Sequence, residues 1–309
     1  MNKQSNVKTT ISVLLLSAVL SLPVFTLAAA ENKTESAGKQ SEAVPSHVES
    51  AKRAILKGKQ KAVVQEAADA VKETEKALKA LESDKPKEAL AALEAASGKL
   101  DILLSTEPML GLIPIDFQTQ VFDIDADLKA IEKIEKQLNE LIDGHQYQLA
   151  RSVLDDLASE IRVTVVNLPI ATYPAAIKAI APLIDAGKID EANDALYAVL
   201  STLVITEEVI PLPIVRAEAL LSEAFRIEHT SDLSKEESRK KIDKLIDDAG
   251  TQIKIAETLG YGDKKDYKLL YDGMDALKKT IRTEGFVTEL DKMKKALSDF
   301  KNKIVHPAG

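Results

Sequence analysis

The chain has 309 residues, no cysteine, 41 basic and 49 acidic side chains and 4% aromatics. Without cysteine it forms no disulfide and cannot build a thiolate zinc site. An acidic balance with no basic patch argues against nucleic acid and anionic lipid as partners, and so few aromatics leave little for bases to stack on.

Residues 1–30 have the make-up of a cleaved secretory signal peptide. Lys3 and Lys8 precede an apolar run from Ile11 to Leu22, Pro23 ends it, and Ala28, Ala29 and Ala30 offer the cleavage site. The run is shorter than the roughly 20 apolar residues of a membrane anchor. No second hydrophobic span follows, so the expectation is a soluble exported protein without a membrane span, periplasmic in a Gram-negative host. Cleavage removes two lysines and no acids, leaving 39 basic and 49 acidic residues and a net charge of −10.

Residues 31–45 hold almost no large apolar side chains and read as a flexible leader. Ser46 and Glu49 have capping-box spacing, which predicts one long helix to about Leu81 with a stripe of Val63, Ala67, Ala70, Thr74, Ala77 and Leu78. Asp84 and Pro86 open the next helix, lined by Leu90, Leu93, Leu100, Leu103 and Leu104. Val121, Ile124, Leu128, Ile131, Leu138 and Ile142 then predict an amphipathic helix closed by Gly144. A second unit follows through Leu149, Val153, Leu154, Leu157 and Ile161.

Residues 161–166 and 203–210 are β-branched and alternating. They pair as a short two-stranded β ribbon on the helical body, or else they are frayed helix ends; the ribbon is the preferred reading. Beyond His229, three stripes predict a terminal bundle of antiparallel helices. Ile242, Leu245, Ala249, Ile253 and Ala256 form the first, opened by a capping box at Ser234 and Glu237. Tyr267, Leu270, Met274, Leu277 and Ile281 form the second, and Phe286, Leu290, Met293, Leu297, Phe300 and Ile304 the third.

Three passages repeat. Ile113-Pro114-Ile115, Leu168-Pro169-Ile170 and Leu212-Pro213-Ile214 are near copies. Upstream of each lies a turn, at Leu81 to Lys85, Ile142 to Gln146 and Ile184 to Lys188. Ala89, Ala150 and Ala192 stand at one common offset from these turns, and Leu93, Leu154 and Leu196 four residues later. Stacked copies bury one another's apolar stripes, and each proline ends one element and sets the angle of the next. The fold class is therefore mainly α: an irregular helical repeat array over residues 46–232, with Leu/Ile-Pro-Ile corners, and a C-terminal helical bundle over 233–309 packed on the same body.

Chemistry is sparse. No two of His47, His145, His229 and His306 share a helix face at i, i+4. Asp123, Asp125 and Asp127 resemble the opening of a calcium loop, but Leu128 replaces its glycine and Ile134 its bidentate glutamate, so they read as the start of an ordinary helix. There is no phosphate loop, nucleophile elbow or H-E-x-x-H. Adjacent acids such as Asp155 and Asp156, Glu207 and Glu208, or Asp247 and Asp248, diverge on a helix. No catalytic residue, metal ligand or cofactor is expected. Tyr261, Tyr267 and Tyr271 gather near a glycine turn, where they line a ligand groove or pack the bundle.

The signal peptide, the twin extended segments entering Leu168-Pro169-Ile170 and Leu212-Pro213-Ile214, and the stretch Leu183 to Leu196 between them resemble the YfdX family of exported bacterial proteins. The likeness runs from about Ser46 to about Phe300. It implies an α-helical, oligomer-forming periplasmic protein linked to acid and envelope stress, with no catalytic set to carry over. The first unit departs from the pattern, with Ile-Pro-Ile and no alternating strand before it. The resulting expectation is a non-enzymatic stress-response protein, a homo-oligomer that is chaperone-like toward unfolded client proteins. The alternative is a binder of a small apolar ligand in an inter-helix pocket near the three tyrosines.

Overall fold

The computed structural model describes residues 43–304 apart from 107–110, 125, 233, 282 and 284. The expected signal peptide and the leader up to residue 42 lie outside the described residues. The fold is mainly α, with one three-stranded antiparallel sheet.

The long helix expected from Ser46 to Leu81 is two helices, α1 (Ala43–Ala62) and α2 (Gln65–Glu82). They part at two β-branched residues, Val63 and Val64. Val64 is extended, and its N–H donates to the Pro114 carbonyl at 3.0 Å, so a strand takes the bond the helix would have used. The Ser46 capping box does not form, because α1 begins three residues earlier and takes in the end of the leader.

Next come α3 (Pro86–Thr106), β1 (Leu112–Phe122), α4 (Leu128–Asp143), α5 (Tyr147–Asp156), β2 (Glu160–Pro169), the short α6 (Tyr173–Lys178) and α7 (Ala181–Asp185), α8 (Ile189–Leu200) and β3 (Val204–Pro211). The repeated unit is thus helix, turn, helix, strand. All three turns close alike. Asp84, His145 and Gly187 adopt φ of 56°, 57° and 72°, and each donates its N–H to the carbonyl three residues back, at 3.0 Å in every case. The following residue, Lys85, Gln146 or Lys188, donates to the carbonyl five back. Aspartate and histidine are among the non-glycine residues that enter the left-handed region most readily, which is how the turn survives without a shared glycine.

The strands pair in the order β1-β2-β3. The ribbon expected from residues 161–166 and 203–210 exists as β2 and β3, and the first unit adds a strand where none was expected. Ile113, Ile115, Phe117, Thr119 and Val121 alternate along β1. The helix expected from Val121 therefore starts only at Leu128, capped by Asp127, whose carboxylate accepts from the Ala130 N–H at 2.9 Å. Asp123 follows the strand, and Asp125 lies outside the described residues.

The chain ends in α9 (Leu212–Thr230), α10 (Glu236–Thr258), α11 (Lys264–Thr280) and α12 (Phe286–Lys303). The three predicted stripes face inward, with every member buried except Ile281, which is half-buried. The capping box at Ser234 does not form: its hydroxyl donates to Asp232 at 2.7 Å, and α10 starts at Glu236. Gly262 is required twice over, because its φ is 74° and a Cβ there would meet the Phe300 ring at 2.7 Å.

Two large apolar cores and a smaller one on the sheet result among the described residues. One lies among α2, α3, α6, α7 and α8 and takes in Ile113 and Leu168; the other lies among α9 to α12 and takes in Val209 and Val44.

Candidate functional site

Alternation along β2 sends Ile161, Val163 and Val165 to one face of the sheet, where all are buried. The register adds Phe117 opposite Val165 and Ile210 opposite Ile161. A strip of β-branched and aromatic side chains this continuous cannot face water cheaply. α1 covers it. Val48 and Ile55, two helical turns apart, pack on this strip together with Leu212, and Val44 reaches on into the C-terminal core.

The cover is held lightly. Of the α1 side chains described, Val44 alone is fully buried; the others are half-buried or exposed. Lys59 forms an ion pair with Glu208 on β3 at one end. At the other, His47 sits half-buried against Glu218 of α9 and Lys294 and Lys301 of α12, where Glu218 and Lys301 pair at 2.6 Å. Burial holds the imidazole below its usual value; Glu218 raises it and the two lysines lower it further. An added proton there would lose hydration to burial and would stand near one carboxylate and two ammonium groups. One fully buried side chain and a titratable group at one anchor mark α1 as an element of low local stability.

At the start of β2 the sheet is fixed to the bundle by a buried polar lock. Glu160 is 6% exposed. It accepts from the Tyr261 hydroxyl at 2.8 Å and from Arg162 at 2.7 and 3.0 Å. The Tyr261 oxygen in turn accepts from the Ser159 N–H at 3.0 Å, and Arg162 lies 4.6 Å from the centre of the Phe122 ring. The Ser159 hydroxyl donates to Asp123 at 3.0 Å, and Arg216 of α9 pairs with the other oxygen of that carboxylate. Each of these polar groups has a partner within the protein, so the lock positions the sheet.

The tyrosines expected to line a groove belong to this region. Tyr261 and Tyr267 are buried, and Tyr267 meets Phe300 edge-on at 5.1 Å. Their hydroxyls serve the protein: Tyr267 donates to the Tyr261 carbonyl, and Tyr271 donates to Glu257 at 2.6 Å. Burial raises all three phenols above their usual range. They act here as neutral donors that fix the α10–α11 turn.

The three corner motifs occupy three settings. Ile113-Pro114-Ile115 lies inside β1 at a register shift between Pro114 and Asp116, and not at a corner between helices. Leu168-Pro169-Ile170 ends β2 and turns through a bond from the Thr172 N–H to the Pro169 carbonyl at 3.2 Å. Leu212-Pro213-Ile214 forms the first turn of α9, where proline costs no hydrogen bond, and Leu212 donates to the Ser159 carbonyl at 2.9 Å. The register sets Ile113 directly opposite Leu168, both fully buried, while the third motif lies at the other end of the sheet beside the polar lock. The covering role of α1 is absent from the sequence reading. Its signal is the four-then-seven spacing of Val44, Val48 and Ile55 in a segment otherwise polar.

Among the described residues no group of histidines and carboxylates is arranged to hold a metal ion, and no helix is long and apolar enough to cross a membrane. No curated protein matches the chain. Among solved structures, that of Salmonella Typhi YfdX is similar over 48% of this chain and 93% of its own length, at 14% identity and a TM-score of 0.34. The family model described as YfdX protein matches residues 70–209, which run from within α2 to within β3 and so span the three repeated units. Over that segment, the chain is similar to the YfdX family.

Proposed function

We propose that this is an exported, non-enzymatic stress-response protein that self-associates and, in acid, holds unfolding proteins on apolar surface that α1 covers at neutral pH. The observation that carries the reading is α1 itself: a shallowly buried helix over a continuous apolar strip, anchored beside a half-buried histidine set among Glu218, Lys301 and Lys294. The direction of the pH effect follows from linkage. A histidine whose folded value is lowered favours the folded state fully above about pH 6.5, and that stability is lost as pH falls through the unfolded value. Acid thus weakens the hold of α1 first. Further acid neutralises carboxylates near pH 4 and lowers self-repulsion in a chain of net charge −10 after cleavage. A periplasmic address, where pH follows the medium, would give such a response its use.

The test is a client-aggregation assay from pH 7 to pH 4, with far-UV helicity and light scattering in parallel. The expected result is suppression of client aggregation at pH 4–5 with helicity kept and full recovery at pH 7. Irreversible aggregation of the acid form, or no effect on the client, would contradict the reading.

A further inference from the structure

The two outer edges of the sheet are not alike. On β1 the Pro114 carbonyl points outward and accepts from the Val64 N–H at 3.0 Å, so the junction of α1 and α2 occupies that edge. The register of β3 on β2 fixes which of its own groups point outward. Leu212 donates its N–H to the Ser159 carbonyl at 2.9 Å, which makes these two a hydrogen-bonded pair next to Glu160 and Pro211. Bonded and non-bonded pairs alternate along an antiparallel ladder. Ile210, Glu208, Thr206 and Val204 therefore bond to β2, while Pro211, Val209, Glu207 and Ile205 turn their backbone groups away from it. Pro211 fits this assignment, since it has no N–H to give β2.

One end of that edge is closed, because Val209 is 3% exposed and packs in the C-terminal core. From Glu207 back to Ile205 it is open. Ile205 is 54% exposed, and among the described residues neither backbone finds a partner outside the sheet. Their N–H and carbonyl groups stand in a row that water or another strand can serve. The side chains of both lie on the face away from α1, since Thr206 and Glu208 are the residues opposite Val165 and Val163. Glu208 is held by Lys59, but Glu207 makes no ion pair and no side-chain hydrogen bond among the described residues.

We propose that residues 205–207 are a strand-pairing site for an extended segment of another protein, which joins the three-stranded sheet along the outer edge of β3. The incoming strand sets an apolar side chain beside Ile205 and a basic one beside Glu207. A strand is the occupant because the groups on offer are backbone donors and acceptors at strand spacing. It is basic because a free carboxylate favours an opposite charge across the strands. A second copy of β3 is a poor match: the strand carries two glutamates and no base, so its image brings carboxylate toward carboxylate. The site lies across the sheet from the strip under α1 and is open at neutral pH. It goes beyond the acid-released surface and stands or falls apart from it.

The test is fluorescence anisotropy at pH 7 with a short labelled peptide in which threonine alternates with valine and lysine, beside a second peptide with glutamate for lysine. The wild type is expected to bind the lysine peptide and to bind the glutamate peptide more weakly. Glu207→Pro blocks the edge without removing a ladder bond, because that N–H points outward, and is expected to abolish binding with helicity unchanged. Glu207→Lys keeps the backbone edge and is expected to weaken the lysine peptide roughly tenfold and to tighten the glutamate peptide. That reversal decides the matter if Glu207→Pro fails to fold. A wild type that binds neither peptide, or binding that survives Glu207→Pro, would overturn the site. Sedimentation of the wild type as a dimer that binds no peptide and that Glu207→Pro dissociates would give the edge to a second copy and overturn the proposal.

Discussion

Two tyrosines offer the same perturbation with different expected outcomes. Tyr261→Phe deletes a hydroxyl that donates to the buried Glu160 at 2.8 Å and accepts from the Ser159 N–H at 3.0 Å. Its loss removes a charge-assisted bond and leaves a buried backbone donor without a partner, a cost of about 2–4 kcal/mol. Tyr173→Phe deletes the same atom in the other core. Tyr173 is 1% exposed, and its hydroxyl meets the side chain of Thr74, which gives its own hydrogen to the Ala70 carbonyl at 2.9 Å. Burial pushes that phenol up to about 12. Removing a hydroxyl that serves neither a charged group nor a backbone N–H is expected to change stability by less than about 1 kcal/mol. At about 2–4 °C per kcal/mol for a chain of this size, thermal unfolding should place Tyr261→Phe roughly 4–16 °C below the parent and Tyr173→Phe close to it. Equal shifts for the two variants would refute the claim that the Glu160 lock fixes the sheet to the bundle.

Leu168→Asp puts a charge where exposure is 0% and should cost about 3–5 kcal/mol in urea unfolding, whereas Pro169→Ala should cost under about 1 kcal/mol. Gly187→Ala should cost about 1–2 kcal/mol from its φ of 72° alone, since no atom crowds its Cβ position, while His145→Gly at the equivalent turn should cost nothing comparable. His47→Gln should flatten the loss of stability between pH 7.5 and pH 5.5 and leave stability at pH 7.5 nearly unchanged, because the lowered histidine acts only below its unfolded value. An unchanged pH profile would remove His47 from the acid response.

The C-terminal helices were legible because their stripes are long and strictly periodic: Phe286, Leu290, Met293, Leu297 and Phe300 admit one reading, and all are buried. The turns were legible because Ala89, Ala150 and Ala192 share one offset, although their left-handed residues, Asp84, His145 and Gly187, share no identity. β1 was not. Its alternation is interrupted by Pro114, and Val121 and Ile124 fit a helical register with Leu128 equally well, so a strong amphipathic helix absorbed the end of a strand. The polar lock joins Glu160 to Tyr261 across 101 positions, and neither residue carries a local signal of the other. The cover formed by α1 was hidden because residues 46–62 read as the start of one long helix to Leu81, and a helix that buries one residue fully shows little stripe of its own. Leu154 reads as core in sequence, as Leu93 and Leu196 are, yet it is exposed, and structure alone tells them apart.

The central claim, that α1 is an acid-released cover, is tested most directly by hydrogen exchange at pH 7 and pH 5, corrected for the intrinsic pH dependence of exchange. The account predicts that residues 43–62 lose protection at pH 5 while α10 to α12 and the strands keep theirs. Protection of α1 that persists with the bundle, or that is lost together with it, would contradict the account.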